Sequence, residues 1–132
     1  MARVEWSVTP PDAIEEVVGV LLCRENPDAT RIKPSRGDGG IDVLVPASGA
    51  PRSIEVYQVK SFTGTLSAQQ KLQIERSLKR VQTFCAEQNL TITAWYVTLP
   101  LTPTNETREW FLRLTEGVGF PCHWREPVTI PV

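Results

Sequence analysis

At 132 residues the chain suits one domain with room for a core. Its residues are 41% apolar and 22% charged, the balance of an ordinary globular domain rather than a disordered or collagenous chain. A formal net charge of −1 excludes a protein that coats nucleic acid by bulk electrostatics, so phosphate binding has to come from a local patch.

No window approaches the roughly twenty apolar residues of a membrane span. The N-terminus lacks the charged-then-apolar order of a signal peptide, so a cytoplasmic location is expected. Cys23, Cys85 and Cys122 are odd in number and far apart, and the only histidine is His123. That set supplies no zinc site and reads as reduced thiols; no nucleophile elbow stands near His123.

In chain order, Met1–Pro10 reads as partly extended, and Thr9-Pro10-Pro11-Asp12 as a helix start. The first helix is predicted from Pro11 to about Arg24, with Ile14, Val17, Val18, Leu21 and Leu22 on one face. On that helix Glu15 borders the apolar stripe, while Glu16 points to water. After the breaker Asn26-Pro27-Asp28, a first strand is predicted over Ala29–Lys33. Two better strands follow, Ile41–Val45 and Ser53–Lys60, joined as a hairpin by a Pro/Gly-bearing loop.

Ser67 is predicted to cap a second helix reaching about Asn89. Its expected buried stripe is Leu72, Leu78, Val81 and Cys85, with Ile74 or Phe84; Lys71, Arg76, Lys79 and Arg80 are placed on its exposed side. Thr91–Leu99 reads as a buried central strand and Trp95 as a packing aromatic. Thr104 or Asn105 caps a third helix to about Glu116, with Trp110, Phe111 and Leu114 inward. Phe120–Arg125 is an expected edge strand, and residues 127–132 a tail or the start of a linker. This order predicts an α/β layer design with a mixed sheet flanked by helices, in a single domain over 1–132.

The chemistry gathers between Gly37 and Ser61. A strand alternates its faces, so Gln58 and Lys60 point the same way, and in a hairpin Asp42 faces the same spot. Mg²⁺ takes hard oxygen ligands and keeps several waters. Asp42 offers an anionic oxygen, Gln58 an amide oxygen, and Val59 its backbone carbonyl if that strand end is unpaired. Lys60 places a compact charge where an attacked phosphate gains negative charge. Glu15 adds a second carboxylate, and the expected reaction is metal-assisted in-line hydrolysis of a phosphodiester. Gly39 and Gly40 let a phosphate backbone approach closely, and Arg31, Lys33 and Arg36 supply a basic patch.

Gly-Asp-Gly-Gly-Ile-Asp-Val (residues 37–43) followed by Tyr-Gln-Val-Lys (57–60) resembles the PD-(D/E)XK nuclease superfamily, and within it the Mrr-type restriction endonucleases. The opening helix with Ile14-Glu15 is similar to that family's first helix. The motif resemblance covers about Pro11 to Ser61. It implies a three-layer α/β/α restriction-endonuclease-like fold and a Mg²⁺-dependent DNA endonuclease (with Mn²⁺ as a substitute) in restriction or anti-phage defence. It also implies Asp42, Gln58 and Lys60 as the catalytic set, with Glu15 in support. Cutting both strands implies a homodimer or higher oligomer, and a recognition or sensor domain or partner would supply specificity. The alternatives are a silent nucleic-acid-binding or scaffolding relative, or a nuclease acting on RNA or DNA junctions.

Overall fold

The computed structural model describes residues 11–32, 41–47 and 51–126. The elements are α1 (Pro11–Glu25), β1 (Thr30–Ile32), β2 (Ile41–Pro46), β3 (Ser53–Val59), α2 (Ala68–Glu87), β4 (Thr91–Thr98), α3 (Asn105–Thr115) and β5 (Cys122–Arg125). The expectations for Met1–Pro10, Lys33, Arg36, the glycine cluster and residues 127–132 lie outside the described residues. No helix among the described residues is long and apolar enough to cross a membrane.

The strands form one sheet in the order β1-β2-β3-β4-β5. β1, β2 and β3 are antiparallel neighbours, and β3, β4 and β5 run parallel. Parallel neighbours need crossovers, and α2 and α3 supply them. The sheet thus carries α1 on one face and the two crossover helices on the other, a three-layer α/β/α arrangement with a mixed sheet.

Two apolar clusters show the layering. Ile14, Val18 and Leu22 of α1 meet Val43, Val45, Tyr57 and Val59 on one face. Leu44, Ile54, Val56, Trp95, Val97 and Leu99 meet Ile74, Leu78, Val81 and Cys85 of α2 and Phe111 of α3 on the other. Alternation along β2 and β3 therefore assigns Asp42, Gln58 and Lys60 to the α2 face.

The α2 stripe is displaced from the expected one. Ile74 and Ser77 are buried with Leu78, Val81 and Cys85, whereas Leu72 is 37% exposed. Leu72 lies two residues, about 200°, from Ile74 and so falls off the stripe. Ser67 caps α2 through a reciprocal box with Gln70: each side chain accepts from the other residue's backbone N–H. Ser67→Ala is expected to cost about 1 kcal/mol, measured as a lower midpoint in urea unfolding; an unchanged midpoint would show the box to be energetically idle.

The β3–β4 register slips once. Ile54 pairs with Ile92 but Glu55 pairs with Ala94, so Thr93 is an extra residue, and its hydroxyl donates to the Ile54 carbonyl at 3.0 Å. Ile92 and Trp95 consequently face the same side although they are three residues apart. Beyond the bulge Val56 pairs with Trp95 and Gln58 with Val97. Among the aromatics, Tyr57 lies on the α1 face as alternation requires, stacked on Tyr96 at 4.5 Å. All three cysteines are free thiols.

Candidate active site

Asp42 and Gln58 stand directly opposite each other across β2 and β3. The Lys60 N–H donates to the Thr98 carbonyl, so the main-chain groups of Gln58 and Lys60 face β4 and those of Val59 face β2. Asp42–Gln58 is therefore a non-hydrogen-bonded pair, the kind in which facing side chains stand closest. Gln58 Nε2 donates to Asp42 Oδ1 at 2.9 Å.

The other end of that amide is also held. Trp95 Nε1 donates to Gln58 Oε1 at 2.8 Å. An indole N–H only donates, so it selects the amide orientation: oxygen toward Trp95, NH₂ toward Asp42. The sequence expectation had the Gln58 oxygen beside Asp42 as a metal ligand; in this arrangement it serves Trp95, and Gln58 orients the carboxylate. Val59 stands opposite Ile41, so its carbonyl is directed into the β2–β3 ladder rather than left at an unpaired strand end.

Lys60, 2% exposed, donates from Nζ to Ser77 Oγ on α2 at 2.7 Å. Arg80, one helical turn on, brings Nη2 within 3.5 Å of Asp42 Oδ1. It had been placed with the solvated charges of α2, but its long side chain folds over the sheet end instead. Cys85 lies near enough that the Asp42 charge adds to burial, the main cause, in pushing its thiol pKa up. Cys122 is pushed up to about 11 by burial.

Asp42, Gln58, Lys60 and Ser77 are polar groups buried in an otherwise apolar layer. Burying such groups is costly unless they are paired, and the hydrogen bonds to one another and to Trp95 provide the pairing. Among the described residues the cluster brings together one carboxylate and two cations at the end of β3. Both contacts to Asp42 among the described residues fall on Oδ1, and none falls on Oδ2. A single carboxylate oxygen supplemented by water is a donor set that Mg²⁺ accepts.

The remaining expected site residues lie elsewhere. Glu15 is half-buried on α1, the helix covering the opposite face, and makes no hydrogen bond or ion pair with Asp42, Gln58 or Lys60. Arg31 is paired with Glu16 at 2.7 Å and packs over Gly19, so its charge is spent on α1. Lys33, Arg36, Gly39 and Gly40 are outside the described residues.

The sequence reading assigns none of Ser77, Arg80 and Trp95 to the site. Ser77 had a signal, a polar residue three positions after Ile74 in an apolar stripe. Trp95 had none beyond its donor N–H. Compared with protein-family models, with curated proteins and with solved structures, the chain has no significant match.

Proposed function

We propose that this chain is a metal-dependent DNA endonuclease of the PD-(D/E)XK type, the nuclease part of a restriction or defence system. The observation that carries the reading is the convergence of Asp42, Gln58 and Lys60 on one face at one strand end. In this reading Asp42 holds a divalent cation through its carboxylate, and that cation would supply Lewis-acid polarisation of the phosphate and a more acidic water. Gln58, fixed by Trp95, orients the carboxylate. Lys60, fixed by Ser77, offers positive charge to the phosphoryl oxygens as they gain negative charge. Arg80 adds a second cation, suited by its forked donors to a phosphate oxygen pair. Because a duplex cut needs two such sites, dimerisation belongs to the proposal.

A second reading, a catalytically silent nucleic-acid-binding relative, draws on the Gln58 oxygen's bond to Trp95, which turns that oxygen away from Asp42. Nicking of supercoiled plasmid separates the two. The nuclease reading expects Mg²⁺- or Mn²⁺-dependent conversion to open circles, abolished by EDTA. DNA binding with no nicking at any Mg²⁺ or Mn²⁺ concentration would favour the silent relative.

A further inference from the structure

We propose that the outward side of α2 is a track for the sugar-phosphate backbone of DNA, leading from Arg76 and Lys79 through Arg80 into the Asp42 site. The proposal rests on the reading of that site as a phosphodiester site. A groove of about 500 Å³ runs along α2, lined by Arg76, Lys79, Arg80, Thr83, Phe84 and Glu87. The first four lining residues follow a spacing of three, one and three, which keeps them on one side of the helix. Phe84 also packs partly on the core, so the groove has a fixed wall.

The charges make this a phosphate surface rather than a solvated helix face. Arg76 and Lys79 are exposed and enter no ion pair among the described residues. Several other cations are occupied internally, Arg31 by Glu16, Arg125 by Glu25 and Lys71 over the Trp110 ring, whereas Arg24, Arg108 and Arg113 are exposed without an ion pair among the described residues but do not line this groove. Arg52 donates to the Gln88 and Asn89 carbonyls at the end of α2. Among the described lining residues the one acid, Glu87, sits at the end away from Arg76. Among the same residues three cations, of which Arg80 also contacts Asp42, stand against one acid, a locally positive surface on a chain whose net charge is −1. Arg80 belongs both to the groove and to the Asp42 contact, so the track is continuous with the site.

The test is duplex DNA binding by the full chain in EDTA, where cleavage cannot occur, followed by anisotropy over a range of salt. Each phosphate contact contributes about −0.9 to the slope of log K against log salt. Arg76→Gln/Lys79→Gln is expected to make that slope shallower by about 2 and to weaken binding at least about tenfold near 0.1 M salt. An Arg108→Gln/Arg113→Gln control on α3, which removes the same charge elsewhere, is expected to leave the slope unchanged. In Mg²⁺ the groove variant is expected to raise KM with kcat retained. An unchanged slope and affinity, or an equal loss in the control, would overturn the track. A shallower slope in the groove variant together with a wild type that never nicks DNA would uphold the track and reject the nuclease reading.

Discussion

Lys60→Met and Asp42→Asn are each expected to reduce plasmid nicking by about a thousandfold or more while leaving a folded protein. Methionine keeps the buried stem of Lys60 and removes only the charge. Ser77, which accepts from Lys60, is neutral and on a helix, where its hydroxyl can turn to a carbonyl of the preceding turn. Asparagine at 42 keeps an acceptor for Gln58 Nε2 and loses the anionic oxygen. Thermal melts report the fold and nicking reports the chemistry. Wild-type cleavage by Lys60→Met would remove the mechanism, whatever the fate of Asp42→Asn.

Trp95→Phe is expected to act on stability and on metal response together. Phenylalanine preserves most of the ring in a position with no exposure, but it leaves the buried Gln58 oxygen without its donor. The unpaired acceptor costs about 1–3 kcal/mol, and the smaller ring adds a packing loss. For a domain of this size that lowers Tm by several degrees or more. The released amide can then turn its oxygen to Asp42, where two oxygens repel unless a cation lies between them. Added Mg²⁺ is thus expected to raise the Tm of Trp95→Phe more than that of the wild type, by the linkage between binding and folding. Equal Mg²⁺ shifts in both proteins would mean that the indole does not control the amide.

Much of the layered fold was legible because local signals agreed. Proline and Thr/Asp at the start of α1, Ser67 at α2 and Thr104 at α3 mark helix starts that hydrogen-bond patterns reproduce to within a residue or two. The facing of Asp42, Gln58 and Lys60 was legible too, since a hairpin and alternation are short-range rules. What was not legible is what crosses between elements. The partners Ser77, Arg80 and Trp95 are set by the seating of α2 and by the slip between β3 and β4. Neither follows from composition, and Leu72 was assigned inward for the same reason. Glu15 was read from its angle on a helix, but angle says nothing about which side of the sheet the helix covers.

The one-residue excess at Thr93 makes chain length in β4 a determinant of side-chain chemistry. Strict two-residue repetition from Ile92 would send the indole of position 95 toward Tyr57 and α1, leaving the glutamine amide across the sheet with no donor. The segment before Thr93 and the segment after it run out of phase, and only the second feeds the polar cluster. Deleting Thr93 itself would close the bulge with Ile54 and Ile92, and Val56 and Trp95, still paired, so the indole would keep its glutamine and only the bond of the Thr93 hydroxyl would go.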